Sequence, residues 1–318
     1  MVTRLFCGSY LFLTLLAGSH AAAARAELVF SDLSFRQGFL LSYPHAARGR
    51  AVAATLALGR ADARPLWRLC QWGTKYNLAD ASCVPGPQGD VCYENQGKRV
   101  VVGGPDSPRR DLILEIRGQA EYGTRPRRAG ESWPHLLIEQ DTPRPFRIDA
   151  LEHLTLSVRL RLLHCTDHMA ATDYDPGLHA AQFQMFLIVK NVNPQAKDHG
   201  DYFWFGVPFF DNRHDSPRAY MAKDAGKSDA TGKFIYTVAA QAVGIRPLKS
   251  GQWVDVEANL LPHIKRGLAE AVARGYLEAG NEQDYAVVNM NLGWEIPGTF
   301  DAAMQVRDLR ISVLAKGD

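Results

Sequence analysis

Strand signals follow one another along almost the whole chain, and that succession most limits what it can fold into. KRVVVGG (98–104), DLILEIRG (111–118), HLLIEQD (135–141), LTLSVRLRLLHC (154–165), AAQFQMFLIVKN (180–191), DYFWFGVPFFD (201–211), KFIYTV (233–238), QWVDVEANL (252–260), YAVVNMNL (285–292) and FDAAMQVRDLRISVL (300–314) are rich in β-branched and aromatic residues. Turn chemistry separates them: GGPDSP, DTPRP, DYDPG, NVNPQAKDHG, DNRHDSP and IPG. One segment breaks the rule. LLPHIKRGLAEAVARGYLEAG (260–280) has helical spacing at Ile264, Leu268, Ala271, Val272 and Leu277, a proline suited to the first turn and Gly280 suited to a stop. Strands in long succession with one inserted helix exclude an alternating α/β fold. The expectation is all-β, a two-sheet antiparallel jelly-roll sandwich with one inserted helix near 261–278. It forms a single domain over 27–318, in which 27–110 either completes the sheets or makes a small N-terminal extension or cap.

The N-terminus reads as a secretory signal peptide over 1–26. MVTR is basic, LFCGSYLFLTLLAGS is apolar, and SHAAAARA offers small residues for cleavage after Ala26, with Ala23 or Ala24 as alternatives. Cys7 sits too early for a lipoprotein anchor, and no later stretch reaches the length of a membrane span. The expected location is therefore exported, periplasmic or extracellular. Cleavage would leave Cys70, Cys83, Cys92 and Cys165, an even number that in an exported chain permits two disulfides. Cys83 and Cys92 flank a tight Pro/Gly loop and form the favoured pair, which leaves Cys70 with Cys165. Their spacing does not suit zinc. The formal net charge is +2 and the densest basic run, RPRR at 125–128, has no interleaved aromatics, so nucleic acid is not an expected partner. There is no nucleophile elbow, phosphate loop or dinucleotide fingerprint.

Parity along the strands shows where chemistry gathers. In VVNMNLGWE, Asn289, Asn291 and Glu295 share one face while Met290, Leu292 and Trp294 share the other. In HLLIEQD, His135, Glu139 and Asp141 oppose Leu136 and Ile138. Gln182 and Gln184 oppose Phe183 and Met185, and Tyr202 and Trp204 oppose Phe203 and Phe205. Trp253, Asp255, Glu257 and Asn259 oppose Val254 and Val256 and read as ordinary solvated surface. Amides, carboxylates and aromatics on one face suit a poly- or oligosaccharide, whose hydroxyls exchange hydrogen bonds and whose C–H faces stack on rings. The candidate ligand-binding residues are Asn289, Asn291, Gln182, Gln184, Trp204 and Tyr202. Glu139 and Glu295 are the candidate catalytic carboxylates, with His135 to orient one or carry a proton. The structural alternatives are a bond from Glu295 to the Pro297–Gly298 turn and a pair between Glu139 and an arginine of 144–147. No cofactor is expected. Asp173 and Asp175, or Asp211, Asn212 and Asp215, offer oxygens for a structural calcium, and HCTDH (164–168) offers His164, Asp167 and His168 to a transition metal.

Over roughly 110–314 the strand number, strand length and closing pair, with the ending GWEIPGTFDAAMQV, resemble the concanavalin A-like lectin and glucanase jelly-roll superfamily. The resemblance implies the fold and a carbohydrate ligand, with a catalytic glutamate on a late concave strand in some members. The chain departs from it in two places. HLLIEQD lacks the acidic signature of the laminarinase-like members, and AAQFQMFLIV has no glutamate where the compact cellulase-like members carry one. The functional expectation is an exported carbohydrate-active protein that binds a saccharide in a concave groove, with glycoside hydrolysis as its reaction class if it is an enzyme. A polysaccharide lyase is hinted at only by His135 with Gln182 or Gln184. The alternative is a non-catalytic carbohydrate-binding or envelope-associated sandwich.

Overall fold

The computed structural model describes residues 26–225 and 230–317, so the signal peptide expected over 1–26 lies outside the described residues apart from its last residue. Strands run in the order β1 (Glu27–Leu28), β2 (Phe39–Ser42), β3 (Val52–Leu56), β4 (Trp67–Cys70), β5 (Cys83–Pro85), β6 (Val91–Glu94), β7 (Lys98–Gly103) and β8 (Asp111–Arg117). A one-turn helix α1 (Gly118–Tyr122) precedes β9 (His135–Arg147), β10 (Leu151–Asp167), β11 (Gln182–Asn191), β12 (Tyr202–Asp211), β13 (Tyr220–Lys223), β14 (Phe234–Thr237) and β15 (Trp253–Asn259). Helix α2 (Leu261–Ala273) then leads to β16 (Tyr285–Glu295) and β17 (Phe300–Ala315).

Two sheets form the sandwich. The eight-stranded sheet has the order β15-β10-β17-β8-β7-β6-β5, with β1 paired to β17. The nine-stranded sheet has the order β13-β14-β12-β11-β16-β9-β4-β2-β3. The strands before residue 110 belong to both layers. All-β, two-sheet architecture and the inserted helix are as the sequence implies, with two differences. The pairs β2–β4 and β12–β14 are parallel, because each is reached by a crossover rather than a hairpin. A second, one-turn helix follows β8, and the adjoining Gly118 leaves no room for a side chain: a Cβ there would meet the Phe300 carbonyl oxygen at 2.5 Å.

The core lies between the layers and follows from alternation. Leu154, Leu156, Val158, Leu160 and Leu162 of β10 turn inward toward Phe183, Met185 and Leu187 of β11 and Met290, Leu292 and Trp294 of β16, all buried. Trp294 ties the layers together: its indole N–H donates to the Leu114 carbonyl oxygen at 3.0 Å, and its ring meets Phe183 edge-on at 5.0 Å. Irregular register between Val287 and Asn289 turns Val287 into the core while leaving Asn289 and Asn291 on the outer face of the nine-stranded sheet.

The expected disulfides are not formed: Cys70, Cys83, Cys92 and Cys165 are free thiols. Cys83 is in register with Tyr93, and Cys92 with Val84, so the pleat puts the two sulfurs on opposite faces of their sheet. Cys70 and Cys165 belong to different sheets. Cys70 is fully buried, and burial pushes its thiol well above the usual range. Among the described residues no helix is long and apolar enough to cross a membrane.

Candidate functional site on the nine-stranded sheet

The outer face of the central strands β9, β16, β11 and β12 carries the candidate residues in rows that cross the sheet. One row runs His135, Glu295, Gln182, Asp211. A second runs Arg68, Glu139, Asn291, Phe186, Gly206. A third brings Asp141, Asn289, Ile188 and Trp204 together. The candidates thus share one face, but not one spot. Glu139 faces Asn291 and His135 faces Glu295, so the two glutamates stand four residues apart in register, about 13 Å along the strand.

Glu295 sits at the hub of one end. Its Oε2 accepts from the Trp133 indole N–H at 3.0 Å and lies 3.3 Å from His135 Nε2, while its Oε1 accepts from the Gln184 amide at 3.1 Å. Gly293 allows β16 to approach β9 here: a Cβ at this position, where φ is +156°, would meet the Leu136 carbonyl oxygen at 2.1 Å. The Trp133 and His135 rings stack with centroids 5.8 Å apart, and Trp72 meets His135 edge-on at 6.0 Å. His135 Nδ1 lies 2.8 Å from the Trp133 carbonyl oxygen. A carbonyl oxygen can only accept, so Nδ1 carries a hydrogen. Nε2 is thus the ring nitrogen that faces the carboxylate, 3.3 Å from Oε2 and within reach of proton exchange with it. The Arg127 guanidinium covers the Trp133 ring at 4.6 Å and also lines an adjoining cavity of about 460 Å³ with Arg125, Arg128, Asp173 and Asp175.

The middle of the face is drier. Glu139 is buried against Arg68 Nε at 3.4 Å and Arg50 at 3.8 Å. Burial raises its carboxyl above the usual range, and the two guanidiniums oppose that shift. Asn291 and Asn289 are 4% and 3% exposed, and the side-chain carbonyl of each is buried without a donor among the described residues. The Asn289 amide donates to Asp141 at 2.9 Å. At the far end Trp204 packs edge-on against Tyr202 at 5.5 Å and Phe186 at 6.0 Å, and Lys233 lies 5.4 Å over the Tyr202 ring.

Glu295 is engaged by Trp133, His135 and Gln184. Glu139 pairs with Arg68 and Arg50, while Arg144 pairs with Glu27 and Arg147 with Asp149. Trp133, Trp72, Arg68, Arg50 and Phe186 escaped the sequence reading. Arg68 left a signal: an arginine inside the apolar WRLC strand implies a buried acidic partner. Trp133 left none, since Pro134 separates it from the strand whose parity it shares.

Oxygen-rich loops are spent on local bonds. Asp175 accepts from the Gly177 N–H at 2.7 Å, Asp211 is bound by Arg213 and by Gln182 at 3.0 Å, and His168 pairs with Asp301 at 3.1 Å. Among the described residues no group of three or more His, Cys, Asp or Glu side chains is placed to hold a metal ion.

No family model matches the chain. No curated protein matches it either. Among solved structures it is similar to a thermostable cellulase derived from that of Rhodothermus marinus, with 14% identity, 73% of this chain and 96% of that one covered, and a TM-score of 0.40. It is likewise similar to a family 12 xyloglucanase from Bacillus licheniformis (10% identity, 73% and 97% covered, TM-score 0.40) and a family 11 xylanase from Neocallimastix patriciarum (9%, 73% and 94%, TM-score 0.37). At these values the likeness is a weak, fold-level one to jelly-roll β-sandwiches and assigns neither substrate nor reaction.

Proposed function

We propose that the outer face of the nine-stranded sheet binds a poly- or oligosaccharide, and that the protein does so as an exported carbohydrate-active sandwich. The observation that carries this reading is the pair of buried amide carbonyls, Asn289 Oδ1 and Asn291 Oδ1, held among Glu139, Asp141 and Glu295 with no donor. An acceptor kept out of water without a partner costs about 1–3 kcal/mol. A saccharide hydroxyl that reached the strip would supply the missing hydrogen, and neighbouring rings of Phe186, Trp204 and Tyr202 would take the apolar sugar faces. Gln182 and Gln184 would complete the polar lining beside Glu295.

Binding without cleavage is the favoured form. Hydrolysis needs two carboxyls about 5–5.5 Å apart for retention or about 6.5–9.5 Å apart for inversion. The strand beside Glu295 supplies amides, Gln182 and Gln184, rather than a second carboxylate, and Glu139 is offset by four residues. The hydrolytic reading keeps one specific support: the 3.3 Å approach of His135 Nε2 to Glu295 Oε2, close enough for the two to exchange a proton. In it Glu295 is the general acid and His135 returns its proton, while Glu139, held by Arg68 and Arg50, would have to move along the strand to serve as the second carboxylate. A polysaccharide panel separates the two, with binding and product release measured on the same protein. Retention on one or more glucans or xylans without released sugar supports binding, and release lost in Glu295→Gln supports hydrolysis. No retention on any polysaccharide, by a protein that melts cooperatively, overturns both.

A further inference from the structure

The opposite layer carries a second cluster that the strip at Glu295 does not explain. On the outer face of the eight-stranded sheet, Arg159, Arg161 and Arg307 all lie over the ring of Trp253, at 5.3, 5.0 and 4.7 Å from its centroid. Arg159 of β10 is in direct register with Arg307 of β17. Like charges directly opposite across a strand pair are destabilising. Among the described residues one carboxylate, Asp255, forms an ion pair with one of the three arginines, taking Arg159 at 2.6 Å. Arg161 donates instead to the neutral Gln305 at 2.7 Å, and Arg307 to the Pro108 carbonyl at 3.2 Å. Asp308 and Asp111 pair with Arg110 and attract Arg307 without an ion pair to it, and Glu257 lies a row further on, opposite Ser157. The Nε atoms of Arg161 and Arg307 are buried with no acceptor. Burial, with the charges of Arg110 and Arg159 and against those of Asp111 and Asp308, holds the Arg307 guanidinium below its usual pKa.

Arginines on an ordinary solvated face would spread apart into water. Here three converge on one indole, with a local excess of positive charge that the indole ring offsets by only about 0.5–1 kcal/mol per guanidinium. We propose that this face is a binding site for an anionic polysaccharide, with a sulfate or carboxylate group received between Arg161, Arg307 and Arg159 and the sugar ring resting on Trp253. Guanidinium forks match the geometry of both oxyanions, and an indole between them suits a ring-bearing polymer. A membrane surface fits less well, since membrane docking adds protruding apolar side chains to its cations and the indole here is flanked by guanidiniums. The site lies on the other sheet from Glu295 and does not depend on the saccharide reading of that strip.

The test is titration of the protein with dextran sulfate and with neutral dextran. Dextran sulfate should bind, neutral dextran should not, and affinity should fall with rising salt. Arg161→Gln with Arg307→Gln should weaken binding at least about tenfold, as expected for two charge-assisted contacts. Arg159→Gln, whose side chain is 41% exposed, removes the like-charge opposition and leaves folding intact if the double variant fails. It should weaken binding by roughly three- to tenfold. Undiminished binding in Arg159→Gln or in a folded double variant overturns the proposal, as does equal affinity for neutral dextran. Binding to phosphatidylglycerol vesicles with none to dextran sulfate overturns it in favour of a membrane.

Discussion

His135 and Glu295 stand directly opposite each other on adjacent antiparallel strands, with 3.3 Å between Nε2 and Oε2. His135 Nδ1 lies 2.8 Å from the Trp133 carbonyl oxygen, which leaves Nε2 to face the carboxylate. Glu295→Gln keeps the shape of the side chain and takes away the ionisable oxygen. If the protein hydrolyses a glycosidic bond, release should fall at least about a hundredfold, the usual weight of general acid–base catalysis. Saccharide retention should change by less than about tenfold, since the amide still exchanges hydrogen bonds. Reducing-sugar release and affinity electrophoresis on the same variant read the two effects, and unchanged release removes Glu295 from the chemistry.

Asn291 separates a ligand role from a structural one. Its carbonyl is buried without a donor, so Asn291→Ala removes an unsatisfied group from the folded protein. Melting temperature should stay level or rise. Affinity for a saccharide seated on the strip should fall about tenfold, the value of one lost hydrogen bond in a dry site. A variant that loses stability and keeps its affinity would show that the amide serves the fold alone.

Lys98 gives the stability a pH dependence. It is fully buried, with Glu121 as its ion-pair partner and hydrogen bonds to the Thr74 hydroxyl and the Tyr76 carbonyl. Burial lowers its pKa from 10.5 to about 8. The unfolded chain therefore binds more protons than the folded one between those values, and stability rises with pH across that window. Between pH 7 and pH 9.5 the gain should be about 2 kcal/mol in urea unfolding. It should vanish when Lys98→Met is combined with Glu121→Gln, and a flat profile in the unsubstituted protein would mean that the ammonium is better solvated than its burial implies.

Trp294 bears on the union of the two layers. It is fully buried, packs against Phe183 and Phe210, and donates across to the Leu114 carbonyl. Trp294→Ala should cost about 3–5 kcal/mol, which for a chain of this size lowers the melting temperature by roughly 5–8 °C. Trp294→Phe should cost less, near the value of the lost hydrogen bond and a partial cavity. A calorimetric scan ranks the two, and equal costs would mean that the ring's N–H contributes nothing.

Alternation alone determined the class of fold and which side of each strand is polar. Side chains two residues apart share a face wherever the strand is regular, so Asn289, Asn291, Gln182, Gln184, Glu139 and Glu295 could be assigned to the polar side of their strands before any partner strand was known, whereas the bulge that turns Val287 into the core could not be foreseen. The same rule placed Trp253 outward, but not the three arginines around it, since these come from strands far apart in the chain. Register belongs to pairs of strands and is set by turns, bulges and packing. Only the folded sheet could set Glu295 opposite His135 and Glu139 opposite Asn291, bring Arg68 beneath Glu139, or put Cys83 and Cys92 on opposite faces of adjacent strands.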